Sequence, residues 1–343
     1  MSESKFYHIS PAGKLKGVGS VTEALTTVHD GGFFWLHYYQ PTREELSMLI
    51  DPLGLHQLSI EDCFDDDQVP KIEDYHKNTF ILFNAFSYAD SKLSIDEVDL
   101  FIGENFLVSV THSEPTNSLL LTGIEQVVER SNESAREGPA FLLHVILDRI
   151  VDHKFAAIEL LEDDLDRMEE TMLAAISRFN PSELIRVRRD LVALHKSIFH
   201  EREILTKICR KDCPFVSDKE IFHYRDIYDH LSRFFELAET YRDLVTSLME
   251  MYLSLLNNQM TRATQETNAT VRRLTFIATI FMPLTLLAGI GGMSEWTMMT
   301  GRENWRIAYP AFLSAMVLLG LANYYILHRL EKRRRSQRPS SLG

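Results

Sequence analysis

Apolar residues along this chain follow three successive rhythms. Over residues 1–135 they fall in short runs. Phe33 to Tyr39 follows a Gly-Gly pair and predicts a strand. Thr79 to Ser87, Ser94 to Ile102 and Asn105 to Thr111 predict three more, the last two joined by a turn at Gly103-Glu104. Thr42 to Ile50 predicts a helix, with Thr42 as N-cap and Glu45 three residues later completing a capping box. These elements make a small sheet with helices against it, an α/β domain over residues 1–135.

From Pro139 the apolar period lengthens to three and four. Phe141, Leu142, Val145, Ile146, Ile150 and Val151 share one helical face. Pro181 after Asn180 starts another helix, so Ile176 to Glu183 is the tip of a helical hairpin spanning residues 136–217. The hairpin bears Glu159, Glu162, Asp163, Asp164, Asp166, Glu169 and Glu170. A solvated helix face accounts for such a run, and weak cation attraction is the other account. From Asp218 to Pro283 there is no glycine and no proline before the last residue. As one helix that stretch is ~98 Å long. Residues 218–290 are therefore expected to form a stalk helix that continues into a membrane helix. A lone helix of this length leaves its apolar stripe uncovered, so identical subunits should bundle around an axis.

The third rhythm is continuous. Leu274 to Ile290 is a 17-residue run without a charge, and Ile307 to Leu327 is a second, of 21 residues. They reach ~25 and ~32 Å, enough for a hydrocarbon core of ~30 Å. The expected order is a loop over 291–306, a second transmembrane helix over 307–328 and a basic tail over 329–343. Arg272 and Arg273 precede the first span, and Arg329, Lys332, Arg333, Arg334, Arg335 and Arg338 follow the second. The loop carries Arg302 and Arg306, offset by Glu295 and Glu303. This asymmetry predicts a multi-pass protein of the cytoplasmic (inner) membrane with both termini in the cytosol. The tail also suits anionic headgroups. The N-terminal residues lack the apolar stretch of a signal peptide, in keeping with a cytosolic N-terminus.

Charge and composition narrow the function. The net charge of −13 argues against nucleic acid as a partner and suits a domain that concentrates cations. Three cysteines make no disulfide framework. Cys209 and Cys213 are either two thiols near a helix end or half of a zinc site with His200 or His223. The sequence holds no phosphate-binding glycine loop, no His-Glu-x-x-His and no convincing nucleophile triad, so an enzyme is not expected. In the loop, Trp296, Met298 and Met299 suit either the headgroup interface or a soft metal.

Within the first run, Thr275, Ala278, Met282, Thr285 and Gly289 follow three-four spacing on one helix face. Phe276, Ile277, Ile280, Phe281, Leu284 and Leu287 cover the rest. The same rhythm continues backwards through Val271, Asn268, Thr264, Thr261 and Asn257 as a largely neutral, polar line. Both close helix packing and pore lining account for such a face. Pro283 frees a carbonyl near Thr279. Neither run contains a carboxylate. Magnesium sheds water reluctantly, so a neutral pore suits a hydrated cation held through its water shell.

Several segments resemble the CorA family of magnesium channels. Tyr224-Arg225-Asp226-Ile227-Tyr228-Asp229-His230 through Glu239-Thr240-Tyr241-Arg242-Asp243 resembles its stalk. Leu274-Thr275-Phe276-Ile277-Ala278-Thr279-Ile280-Phe281-Met282-Pro283-Leu284-Thr285, followed by Ala288-Gly289-Ile290, looks like its pore helix. Ile60-Glu61-Asp62 with Val69-Pro70-Lys71-Ile72-Glu73 resembles a motif of its cytosolic domain, and Tyr309-Pro310 opens the second span as in the family. The resemblance implies a funnel-shaped homopentamer that passes divalent cations down the membrane potential. It implies that Asn268, Val271, Leu274, Met282 and Thr285 face the axis, with Val271 and Leu274 as a hydrophobic gate; the same three-four line makes Thr264 and Thr261 lower-pore candidates and Gly289 a candidate near the mouth. It also implies regulatory magnesium between cytosolic domains, for which Glu61, Asp62, Asp65 and Asn257 are the candidate ligands. Glu295 and Glu303 would attract cations outside.

Where the family signature at the pore mouth is Gly-Met-Asn, this chain reads Gly292-Met293-Ser294. A serine hydroxyl reaches less far than an asparagine carbonyl, so five serines make a wider ring. Zinc, cobalt or nickel then stand beside magnesium as cargo. In the stalk, neutral Asn257 stands where an acidic regulatory ligand can occur, which weakens magnesium gating. A proton-coupled zinc transporter of the same fold and a non-conducting, membrane-anchored metal sensor or scaffold are the alternatives to a channel. No cofactor is expected beyond transported or regulatory cations.

Overall fold

The computed structural model describes residues 4–27, 31–65, 68–112, 124–130, 138–292, 301 and 304–336. The chain divides into two compact units, Met1–Leu253 and Ser254–Gly343. In the first unit, strands β1 (Lys5–Ile9), β2 (Leu15–Val18), β3 (Phe33–Tyr39), β4 (Lys71–Asp74), β5 (Asn78–Ala89), β6 (Lys92–Gly103) and β7 (Phe106–Thr111) form one sheet. Its order is β2-β1-β3-β7-β6-β5-β4. β3 and β7 pair in parallel and the other neighbours are antiparallel. The four expected strands are present, and the turn at Gly103-Glu104 joins β6 to β7. β1, β2 and β4 lie outside the strong apolar runs. β2 and β4 are the two edges of the sheet and keep no fully buried residue, so they leave little apolar pattern in the sequence.

Short helices cover one face: α1 (Val21–Thr27), α2 (Arg43–Ser47), α3 (Ile50–Leu53) and α4 (Gln57–Asp62). Strand alternation sends Phe34, Leu36, Tyr38, Leu82, Val108 and Val110 into one cluster with Leu46, Leu49, Leu53, Ile60 and Cys63 from this layer. The capping box at Thr42 and Glu45 is present, with Glu45 N–H donating to Thr42 Oγ1 and Thr42 N–H donating to Glu45 Oε2. The expected single helix to Ile50 is instead two. Pro52 has no N–H for the Met48 carbonyl and its ring crowds that turn, so the chain breaks and restarts at Ile50. Gly54 then closes α3 at φ 68°, a left-handed cap where a Cβ would meet Lys77 at 2.6 Å.

α5 (Ile124–Arg130) and the long helix α6 (Pro139–Ala174) follow, and α6 packs along β5. A short 3₁₀ turn, Ile176–Arg178, leads to Asn180, whose Oδ1 caps α7 (Pro181–Cys209). This is the expected hairpin tip. α8 (Ile221–Gly291) runs without interruption through Pro283. Within the first unit it buries Ile221, Tyr224, Ile227, Leu231, Phe234, Ala238, Tyr241, Val245 and Leu248, a three-four stripe, and Tyr224 donates its phenol proton to the Ala140 carbonyl at 2.6 Å.

The second unit contains the rest of α8 and helix α9 (Trp305–Ser336). A Cβ on Gly291 would meet Phe312, Leu284 lies against Gly320, and Phe276 crosses Tyr324 edge to face at 6.3 Å. As α8 descends in number, its α9 partners ascend, so the two helices pack antiparallel. Both are long and apolar enough to cross a membrane.

Candidate functional site

The α9 contact divides the apolar part of α8 into two faces. Phe276, Ile280, Pro283, Leu284, Leu287 and Gly291 are half-buried along the α9 side. At 100° per residue, Ala278, Met282, Thr285 and Gly289 fall on the opposite side. There they line an open groove of about 680 Å³ with Phe281, Leu286 and Ile290. Met282 is 74% exposed, so α9 leaves this face without a cover. Leu274 and Val271 continue it as exposed apolar side chains. Asn268, Thr264, Thr261 and Asn257 continue it as exposed polar ones.

The threonines are oriented by their own helix. Thr261 donates to the Asn257 carbonyl at 2.8 Å, Thr275 to Val271 at 2.9 Å and Thr285 to Phe281 at 2.8 Å. Each hydroxyl proton is thus engaged inwards, which leaves oxygen lone pairs as the outward-facing chemistry. Lone pairs accept hydrogen bonds from the water shell of a cation. Thr279, adjacent to the proline turn, donates to Thr275 in the same way. At the upper end the Gly292 N–H closes on the Ala288 carbonyl at 3.0 Å. Met293, Ser294, Glu295 and Glu303 lie outside the described residues, as do Trp296, Met298 and Met299.

The other candidate ligands are not gathered. Glu61 accepts from Gln57 at 3.3 Å, Asp62 is ion-paired with Lys71 at 2.7 Å and Asp65 accepts from Gln68 at 2.9 Å. Among the described residues no group of three or more His, Cys, Asp or Glu side chains is arranged to hold a metal ion. Of the two readings of Cys209 and Cys213, the geometry favours two thiols near a helix end. Cys209 ends α7, the Cys213 thiol turns in against Thr79 Oγ1 at 3.9 Å, and His223 stacks on His144 at 4.6 Å.

Two sets of ionisable side chains in or beside the core escaped the sequence patterns. Lys154 on α6 donates to Glu201 on α7 at 2.5 Å, and both side chains are fully buried. Glu201 also accepts from the Asn84 N–H and from Ser197, while Phe83 and Phe86 lie beside the ammonium at 4.3 and 5.1 Å. Burial pulls the Lys154 ammonium down to about 8, against the pull of Glu201 in the other direction. A signal existed, because Lys154 stands three and four residues from Val151 and Ile150 on the apolar face of α6. The second set, Glu97 and Asp99 on β6, had none: Asp99 sits between two apolar residues as a solvent-facing residue would.

Two antiparallel helices, each long and apolar enough to cross a membrane and one presenting a neutral hydroxyl-bearing face, fit a two-span membrane transport protein. The chain belongs to the CorA-like Mg2+ transporter family, which it matches over residues 30–329. It is 32% identical to YfjQ of Bacillus subtilis over 294 residues, covering 84% of this chain and 86% of that protein. It is 30% identical to the cobalt/magnesium transport protein CorA of Thermotoga maritima over 270 residues, covering 78% and 74%. Its fold matches the complete structure of the CorA magnesium transporter from Methanocaldococcus jannaschii, with a TM-score of 0.70, 22% identity and coverage of 95% and 97%.

Proposed function

We propose that five copies of this chain form a channel that passes hydrated divalent cations across the cytoplasmic membrane. The observation that carries this reading is the uncovered face of α8 at Ala278, Met282, Thr285 and Gly289, opposite its α9 contacts. Five such faces around an axis give rings of hydroxyl acceptors and methionine, with no charge to trap a divalent ion. Leu274 and Val271 form the constriction that dewets to close. Asn268, Thr264 and Thr261 line the pathway below, and Gly292, Met293 and Ser294 form its mouth. Glu295 and Glu303 concentrate cations outside. An antiparallel helix pair returns the chain to its starting side, and the basic flanks favour the cytosol for both ends. The first span holds no Asp, Glu or His, which leaves no side-chain proton relay and favours a channel over a proton-coupled carrier.

Asp62 is engaged by Lys71 in a single chain, so a regulatory cation on Asp62 has to displace that lysine, whereas Glu61 and Asp65 are held only by Gln57 and Gln68. Asn257 contributes an amide oxygen to any site on the stalk. The deciding experiment is uptake into liposomes at fixed membrane potential, comparing magnesium, zinc, cobalt and nickel. Flux of at least one of these that follows the potential is expected. Absence of flux for all four through purified pentamers overturns the channel.

A further inference from the structure

Contacts along the seam between α8 and α9 differ in what yields when they tighten. Phe276 meets Tyr324 edge to face at 6.3 Å, so two side chains share any adjustment. A Cβ on Gly320 would stand 3.5 Å from Leu284 Cδ1, an ordinary van der Waals contact. At Gly291 there is no such room. A Cβ there would lie 2.6 Å from Cζ of Phe312 and 3.1 Å from both Cε1 and Cε2. The tip of the ring therefore rests on the backbone of α8 itself.

The place of this contact gives it leverage. Gly291 is the last residue of α8, and the Gly292 N–H closes that turn on the Ala288 carbonyl at 3.0 Å. The segment assigned to the pore mouth, Gly292-Met293-Ser294, begins at the next residue. At 100° per residue, Gly291 stands opposite Met282 and Gly289. Phe312, half-buried on α9, thus presses from behind on the turn whose front is the uncovered face. Glycine permits the approach, as small residues do at close helix crossings in membranes. An added carbon in a tight contact is absorbed by side chains where they can move and by the backbone where they cannot. On the α8 side of this contact there is no side chain to move, so ring position becomes helix position.

We propose that Phe312 is a positioning residue for cation selectivity: its ring, seated on Gly291, sets how far the last turn of α8 leans toward the pore axis and so how wide the mouth stands. The inference rests on the channel reading above and adds to it a residue outside the pore lining. A methyl group at position 291 drives the turn away from α9, toward the axis, and narrows the mouth. A smaller side chain at position 312 lets the turn fall back and widens it. Magnesium gives up its water reluctantly, whereas zinc accepts a four-coordinate shell. Narrowing therefore acts on magnesium before it acts on zinc.

The test uses the full chain in liposomes at fixed membrane potential, in four backgrounds: wild type, Gly291→Ala, Phe312→Leu and the two changes together. Gly291→Ala is expected to lower magnesium flux relative to zinc by about threefold, Phe312→Leu to raise it by about as much, and the combination to return it near wild type. A second readout does not use transport. A Cβ at Gly289 meets nothing within 4 Å, so Gly289→Cys fits in each background. Oxidative cross-linking between subunits through that cysteine should speed up with Gly291→Ala, slow down with Phe312→Leu and recover in the combination. Chains without Gly289→Cys give the background of the native thiols. Equal cross-linking in all four backgrounds, a flux ratio that none of them moves, or a combination that keeps the Gly291→Ala ratio overturns the role of Phe312 and leaves the channel in place. Absence of both intersubunit cross-links and flux in every background overturns the channel, and this inference with it.

Discussion

The Lys154 ammonium lies 2.5 Å from the Glu201 carboxylate, and neither side chain reaches solvent. The pair ties α6 to α7, and through the Asn84 N–H it ties both to β5. Removing one partner leaves a lone charge in the core. Glu201→Ala is expected to destabilise the chain by ~3–5 kcal/mol in denaturant unfolding. The double change Lys154→Met with Glu201→Leu removes both charges and should recover most of that loss. Equal damage from the single and double variants would show that the pair acts through packing alone.

The two faces of α8 should differ in their access to water. A cysteine at Met282, on the uncovered face, should react with aqueous thiol reagents about tenfold faster than one at Leu284, which lies against α9. Rates are read above the background of Cys63, Cys209 and Cys213, two of which are buried. Equal slow rates at both positions would place the whole helix in lipid or in protein contact.

Leu274 tests the gate. It is 67% exposed in the single chain, on the face assigned to the axis. Leu274→Ser should wet the constriction and raise resting cation flux by about tenfold in liposomes. Unchanged flux from correctly assembled protein would move the gate elsewhere.

His144 gives an acid-side prediction. Burial, and then the neighbouring His223 ring, lower its pKa to about 4 from the ordinary 6.5. Unfolding lets it take up a proton across that interval, so its contribution to stability is full above 6.5 and is lost as pH falls through about 4. His144→Phe keeps a ring against Phe141 and His223 and removes the proton site. The thermal midpoint of this variant should fall less steeply than that of wild type on acidification. Parallel curves would assign the acid sensitivity to other groups.

Much of the architecture was legible because its causes are local. Thr42 and Glu45 announce their capping box, and Asn180-Pro181 announces the start of α7. The long α8 follows from the missing breakers, and the membrane helices follow from their charge-free length. Even the split between α2 and α3 was present in Pro52, whose missing N–H acts on a residue four places back. The uncovered face of α8 was legible as a spacing, although spacing alone does not separate pore lining from packing.

The sequence by itself determined the four strands with strong apolar runs, the long helices, and which residues share a helical face. These depend on hydrogen bonds and side-chain contacts a few residues apart. Only the tertiary structure decided which faces were covered. α9 closes the Leu284 side of α8 and leaves Met282 open. Helices cover both faces of the sheet, so Asp99 is buried where alternation suggested solvent, and Lys154 meets Glu201 from 47 residues away. A charge is costly only once water has been excluded from it, and that exclusion comes from segments distant in the chain.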